Sequence, residues 1–273
     1  VTLTRLAAPV VAASLVFSGL AAPQAQAHET VYNKDTDTCT ITFTDKDQER
    51  VNGAYKALFV RLAEQTRDSF TGTYAGQEAK GDAQIVWEYG TRDDVKSAAD
   101  LPIPADLRIS NAQTRLALGD EKDKYWQMVG FLNASKKPVV TERTITMTPE
   151  VAAEKGGVTY GVDLGSAIGG VAGGLLLGGD TRELRDRILA AATAHAPEFG
   201  APILSYGKLF EACANRQNSS GTILPGSALT SSQAAGIGIA GLVAGLLALV
   251  GIGFALRPLV DQLSAQPPIR LSS

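Results

Sequence analysis

Thr38-Cys39-Thr40-Ile41-Thr42-Phe43-Thr44-Asp45-Lys46-Asp47 is the stretch on which the fold turns. From Thr38 to Thr44, threonine alternates with Cys39, Ile41 and Phe43. That period of two is the pattern of a half-buried strand, and it puts Cys39 on the inner face. Thr44 followed three residues later by Asp47 resembles a capping box, in which each side chain satisfies a backbone N–H of the other residue. A helix should therefore open here and run to about Phe70, with Val51, Ala54, Tyr55, Leu58 and Leu62 as its apolar stripe and Asn52, Lys56 and Arg67 off it. A strand that hands over to a long amphipathic helix points to a mixed fold.

Further along, Pro102 and Pro104 mark a break, with Pro104 placed for the first turn of a helix through Leu107. A helix is expected over 121–133, with Tyr125, Met128, Val129 and Leu132 on one face. The segment from Val139 to Thr148 is rich in Val, Thr and Ile and reads as a strand. Asp180 and Glu183 suit the start of a helix ending near Ala194, with Leu184, Ile188 and Ala191 on its apolar side. A last helix from Pro202 to Arg216 aligns Tyr206, Leu209, Phe210 and Cys213. Helices outnumber strands, so the expected fold is a mainly helical α+β domain. No repeat of a length that would build a solenoid is visible.

The two ends of the chain have a different character. Arg5 is the one charge before His28. An apolar run from Leu6 to Leu20 leads to Ala25-Gln26-Ala27, the small-x-small site that a signal peptidase reads. Residues 1–27 are thus expected to be a signal peptide, and the mature chain to begin at His28. Residues 234–256 carry no charge. As a helix they would be about 35 Å long, enough to cross a hydrocarbon core of about 30 Å. Arg257 follows at once, on the side that the positive-inside rule requires if the domain is exported. The expected organisation is a signal peptide (1–27), an extracytoplasmic domain (28–216), a flexible Ser/Gly-rich stalk (217–233), one transmembrane helix (234–256) and a cytoplasmic tail (257–273). The locale is the cytoplasmic membrane of a bacterial envelope, with the domain outside.

The charge balance fits that placement. Between the two hydrophobic ends lie 22 basic and 27 acidic residues. An acidic domain is a poor partner for nucleic acid and is not drawn to an anionic lipid surface. The chain has two cysteines, Cys39 and Cys213, both in the exported part, where disulfides persist. They are expected to pair and to tie the start of the domain to its end.

Glycine recurs at every fourth position at Gly157, Gly161, Gly165, Gly169 and Gly173, with an overlapping series at Gly170, Gly174 and Gly178. On a helix this spacing makes a smooth face that another helix can approach closely. The segment can be read as core, as a packing face for another protein or a second copy, or as a membrane-inserted stretch. A full crossing would separate Cys213 from Cys39, so that topology and the disulfide exclude each other. Gly241 and Gly245 give the expected membrane helix a similar small-residue face.

Chemical signals are sparse. The histidines are His28 and His195. A histidine at a mature N-terminus offers an amine and an imidazole to one metal, and His195 is the candidate third nitrogen for copper. Its position in register with Leu184, Ile188 and Ala191 favours a structural role instead. Ser205-Tyr206-Gly207-Lys208 matches the S-x-x-K of penicillin-binding enzymes, but the companion motifs are missing, and Lys155-Gly156-Gly157 lacks the needed hydroxyl. Asp35, Asp37, Asp45, Asp47 and Glu49 form an acidic stretch, yet Arg50 stands where a calcium loop needs glycine. Leu224-Pro225-Gly226-Ser227-Ala228 shares only its first two residues with a sortase signal. With no catalytic constellation and no cofactor motif visible, the leading expectation is a non-enzymatic binding or structural protein of the envelope. Such a protein would be an accessory subunit that meets the membrane and another envelope protein or itself. The alternatives are an anchored cell-wall hydrolase or transferase and a copper-binding protein using His28.

Overall fold

The computed structural model describes residues 28–74, 76–95, 107–155 and 181–226. The chain runs β1 (His28–Asn33), β2 (Thr38–Thr42), α1 (Asp45–Asp68), β3 (Thr73–Tyr74), β4 (Gln77–Glu78), α2 (Ala79–Thr91), α3 (Leu107–Leu118), α4 (Lys122–Ser135), β5 (Thr144–Met147), α5 (Pro149–Lys155), α6 (Thr181–Ala214) and β6 (Ser219–Gly221). Helices and an antiparallel sheet of order β5-β2-β1-β6 make an α+β fold, with β3 and β4 as a separate two-stranded ribbon. Both ends of the described chain lie side by side in that sheet, because His28 pairs with Gly221 and Thr30 with Ser219.

Strand β2 turns Cys39 and Ile41 inward, as the alternation predicts. The capping box is present in full. The Asp47 N–H donates to Thr44 Oγ1 at 3.1 Å, and the Thr44 N–H donates to Asp47 Oδ2 at 3.1 Å. Such a cap is worth about 1 kcal/mol. Val51, Ala54, Tyr55, Leu58 and Leu62 are all buried. Helix α1 is the spine of the domain. On one side it packs against α6, where Tyr206 lies 5.9 Å from Phe43, 6.4 Å from Tyr55 and 5.0 Å from Phe210 between ring centroids. On the other side it packs against α4 and α2, and α3 completes that layer.

Cys39 and Cys213 form a disulfide with Cα atoms 5.7 Å apart, and both residues are fully buried. Helix α6 ends just beyond it. The Arg216 N–H donates to Cys213 O and the Gln217 N–H to Ala212 O, the crossed pair of bonds that closes a helix with a left-handed residue. That residue is Arg216, at φ 56°. Its guanidinium pairs with Asp37, itself at φ 48° in the β1–β2 turn, and with Glu150 at the start of α5.

Three expectations need correction. The two helices expected over 180–194 and 202–216 are one continuous α6, with Pro197 and Pro202 inside it. The strand expected from Val139 to Thr148 is only Thr144–Met147, because the Val139 and Val140 N–H groups donate to Asn52 Oδ1 instead of to a ladder. The domain does not stop at Arg216. Ser219–Gly221 is a sheet strand and Ile223 is fully buried, so folded structure extends well into the expected stalk. Strand β1, the ribbon, α2 and α5 carried no expectation at all. Pro102 and Pro104, the signal peptide, the glycine series from Gly157 to Gly178 and the segment containing Gly241 and Gly245 lie outside the described residues. Among the described residues, no helix is long and apolar enough to cross a membrane.

Candidate functional site

Among the described residues, an open groove of about 380 Å³ runs along the seam between α1 and α6. Lys46, Glu49, Arg50, Gly53 and Ala54 line it from α1, at the spacing that places residues on one helical face. Glu198 and Pro202, four apart, line it from α6. The third wall is Pro225 and Gly226.

That third wall is a strap formed by residues 222–226 after β6. Its position is fixed atom by atom. The Ile223 side chain is fully buried. The Ile223 N–H donates to Asp47 Oδ1 at 3.0 Å, and its carbonyl accepts from Arg50 Nη1. Asp47 therefore serves both the α1 cap and the strap, and it is 1% exposed. The Leu224 N–H donates to Ser205 Oγ at 3.1 Å. Gly226 lies against α6, where an added Cβ would sit 2.5 Å from the Glu198 carbonyl oxygen. Pro202 lacks the N–H that would otherwise bond that carbonyl, so the helix presents a bare backbone surface at this point.

Beside the groove is an ion network. Arg61 Nε and Nη2 each lie 2.9 Å from one oxygen of Glu198, and Nη1 lies 2.7 Å from Glu64. His195 Nδ1 lies 3.0 Å from Glu198 Oε1. Burial pushes the Glu198 carboxyl up, but hydrogen bonds from Arg61 and His195 outweigh it and hold the carboxyl below its ordinary value. A catalytic acid needs its carboxyl displaced the other way, toward neutral pH. Glu198 is arranged as a stable anion.

The structure puts the sequence candidates in separate places. Ser205 of the S-x-x-K match donates its hydroxyl to the Ala201 carbonyl and accepts from Leu224, so its oxygen serves the helix and the strap. The five acidic residues disperse: Asp37 to Arg216, Asp45 to Arg143, Asp47 to the cap and strap, Glu49 to the groove, and Asp35 to a turn held by its N–H on Asn33. Among the described residues, no three His, Cys, Asp or Glu side chains gather as metal ligands. His195 is engaged with Glu198. His28 lies under the sheet beside Gly221, 7% exposed. Leu224 and Pro225 of the sortase-like run belong to the strap.

Sequence reasoning missed a buried polar row under β1 and β6. His28 Nδ1, Thr30 Oγ1 and Ser219 Oγ are buried without a protein hydrogen-bond partner. His28 and Thr30 share the inner face of β1, and Ser219 stands opposite Thr30. Burial pushes the His28 imidazole down, and the Asp47 carboxylate opposes this in part. The alternation His28, Thr30, Tyr32 was the available signal. The strap's signal was Ile223-Leu224, an apolar pair in a Ser- and Gly-rich run. Nothing local signals Arg61 with Glu198. A comparison of the chain with protein families, with curated proteins and with solved structures finds no match.

Proposed function

We propose that this chain is an exported protein of a bacterial envelope, held by the apolar segment 234–256, whose domain binds another envelope protein as an accessory subunit. The observation that carries the reading is the buried Cys39–Cys213 disulfide, which joins the first and last parts of the domain. A buried structural disulfide belongs to an oxidising compartment. A binding role, in preference to catalysis, is supported by how the polar side chains along the groove are used. Asp47, Arg50 and Ser205 hold the strap, and Arg61 and Glu198 hold one another.

Purification from membranes in mild detergent, with a tag near Ser231, tests the proposal. A membrane protein co-eluting in a fixed stoichiometry, and lost when Gly165, Gly169 and Gly173 are replaced by leucine, is the expected result. Elution of the wild-type chain alone would count against a subunit role and in favour of an autonomous cell-wall protein.

A further inference from the structure

We infer that His28 and the strap form an acid-released latch: protonation of the imidazole frees residues 222–226 from the α1–α6 seam and opens the groove whose third wall they form. The latch lies wholly within the domain and depends on neither an anchor nor a partner. His28 stands at the end of the β1–β6 ladder, on the inner face of β1, and is 7% exposed. Its Nδ1 is buried without a protein hydrogen-bond partner. The ring lies against Gly221, where an added Cβ would sit 3.4 Å from both Cε1 and Nε2. Two residues after Gly221 comes Ile223, whose N–H donates to Asp47 Oδ1 at 3.0 Å. Asp47 Oδ2 already accepts from the N–H and the hydroxyl of Thr44. One buried carboxylate thus serves the helix cap, the strap and, through its charge, the imidazole.

The surroundings compensate a charged ring poorly. Strand β2, strand β6 and the strap carry no charged residue, and Glu29 of β1 is on the exposed face. On α6, Lys208 and Glu211 are exposed. Helix α1 supplies Asp47 and the cation Arg50, which holds the Ile223 carbonyl. Burial outweighs the pull of Asp47 and holds the imidazole below its ordinary value near 6.5. A cation here is relieved in two ways. It moves outward to water past Gly221, or it draws Asp47 away from the Ile223 N–H. Both routes loosen the strap at its start, and the contacts of Leu224 with Ser205 and of Gly226 with α6 follow in sequence. With the strap open, the ring regains its ordinary proton affinity, so opening is favoured as pH falls below about 6.5.

Hydrogen exchange of the purified full chain at neutral and acid pH, corrected for the intrinsic effect of pH on exchange, tests the latch. In the wild type, opening over residues 219–226 should be several-fold greater at about pH 5 than at about pH 7.5, with α4 unchanged. The ceiling is about thirtyfold, set by the roughly 1.5 pH units between pH 5 and the ordinary imidazole value. His28→Gln should remove this acid increment, and an amine left on residue 28 by signal cleavage is common to both chains. An increment that survives His28→Gln, or none in the wild type, overturns the latch. So does an equal rise in α4, which marks general loosening. If the strap of His28→Gln is already open at neutral pH, NMR titration of the wild-type ring decides. The chain has two histidines, so His195→Gln identifies the His28 signal. A His28 midpoint below the ordinary value and coincident with the change in exchange supports the latch, and separate midpoints overturn it.

Discussion

The two sides of α1 are built on different principles. Toward α6 and the sheet, long-range connections converge: a disulfide spanning 174 residues, a cap that also holds the strap, and the aromatic group around Tyr206. Toward α4, α2 and α3, the packing is close but unstapled. Gly90 lets α2 approach Leu132 so nearly that a Cβ would lie 2.6 Å from it, and Asp82, almost fully buried, takes a bidentate pair from Arg115. Leu107 and Leu118 stand exposed there. The sheet side is fixed by topology and the helical side by packing, so substitutions should act on them differently.

The largest effect should come from the staple. Replacing Cys39 and Cys213 together by alanine should cost about 2–5 kcal/mol in denaturant unfolding, since the link constrains a long loop of the unfolded chain. A loss below about 1 kcal/mol would show that the sheet side stands without it. Next is Arg115→Ala, which strips a buried carboxylate of its bidentate partner and should cost about 3 kcal/mol. If the helical side opens separately, hydrogen exchange in this variant should rise in α2 and α3 before it rises in α6. Ile223→Ala should cost about 2–3 kcal/mol and speed exchange at Leu224, whose N–H is held by Ser205 only while the strap is seated.

A smaller effect concerns pH. The folded His28 imidazole sits below its ordinary value near 6.5 because burial disfavours its charged form. The unfolded chain then binds the extra proton first, and stability falls as pH drops from about 6.5 toward the lowered value. His28→Gln should flatten this part of the melting temperature against pH, and an unchanged slope would assign it to other groups. The smallest effect is at Leu118→Ser, which should change stability by no more than about 0.5 kcal/mol, as expected of an exposed side chain.

What the sequence makes legible follows the range of the interactions. The strand at Thr38, the capping box, the stripe of α1, the face of α4 and the cysteine pair are written in local periodicity or in simple pairing. Prolines normally end helices, so Pro197 and Pro202 hide the continuity of α6. Here the strap covers α6 at Pro202, and the Ser205 hydroxyl donates to the Ala201 and Pro202 carbonyls. Strands β1 and β6 pair across nearly the whole domain, so neither is specified by its own neighbours. Helix α2 carries Gly81 and Gly90, which lower its local propensity, and Gly90 is needed for contact with Leu132. The groove was illegible because its walls come from three distant segments.

The central claim is a disulfide-closed domain, starting at His28 and held at the membrane from its far end. The most direct measurement is the intact mass of the protein recovered from the membrane fraction after an alkaline wash. The account predicts a chain beginning at His28, two hydrogens lighter than its reduced form and retained in the pellet. A protein released by the wash, or one that keeps residues 1–27, would contradict it.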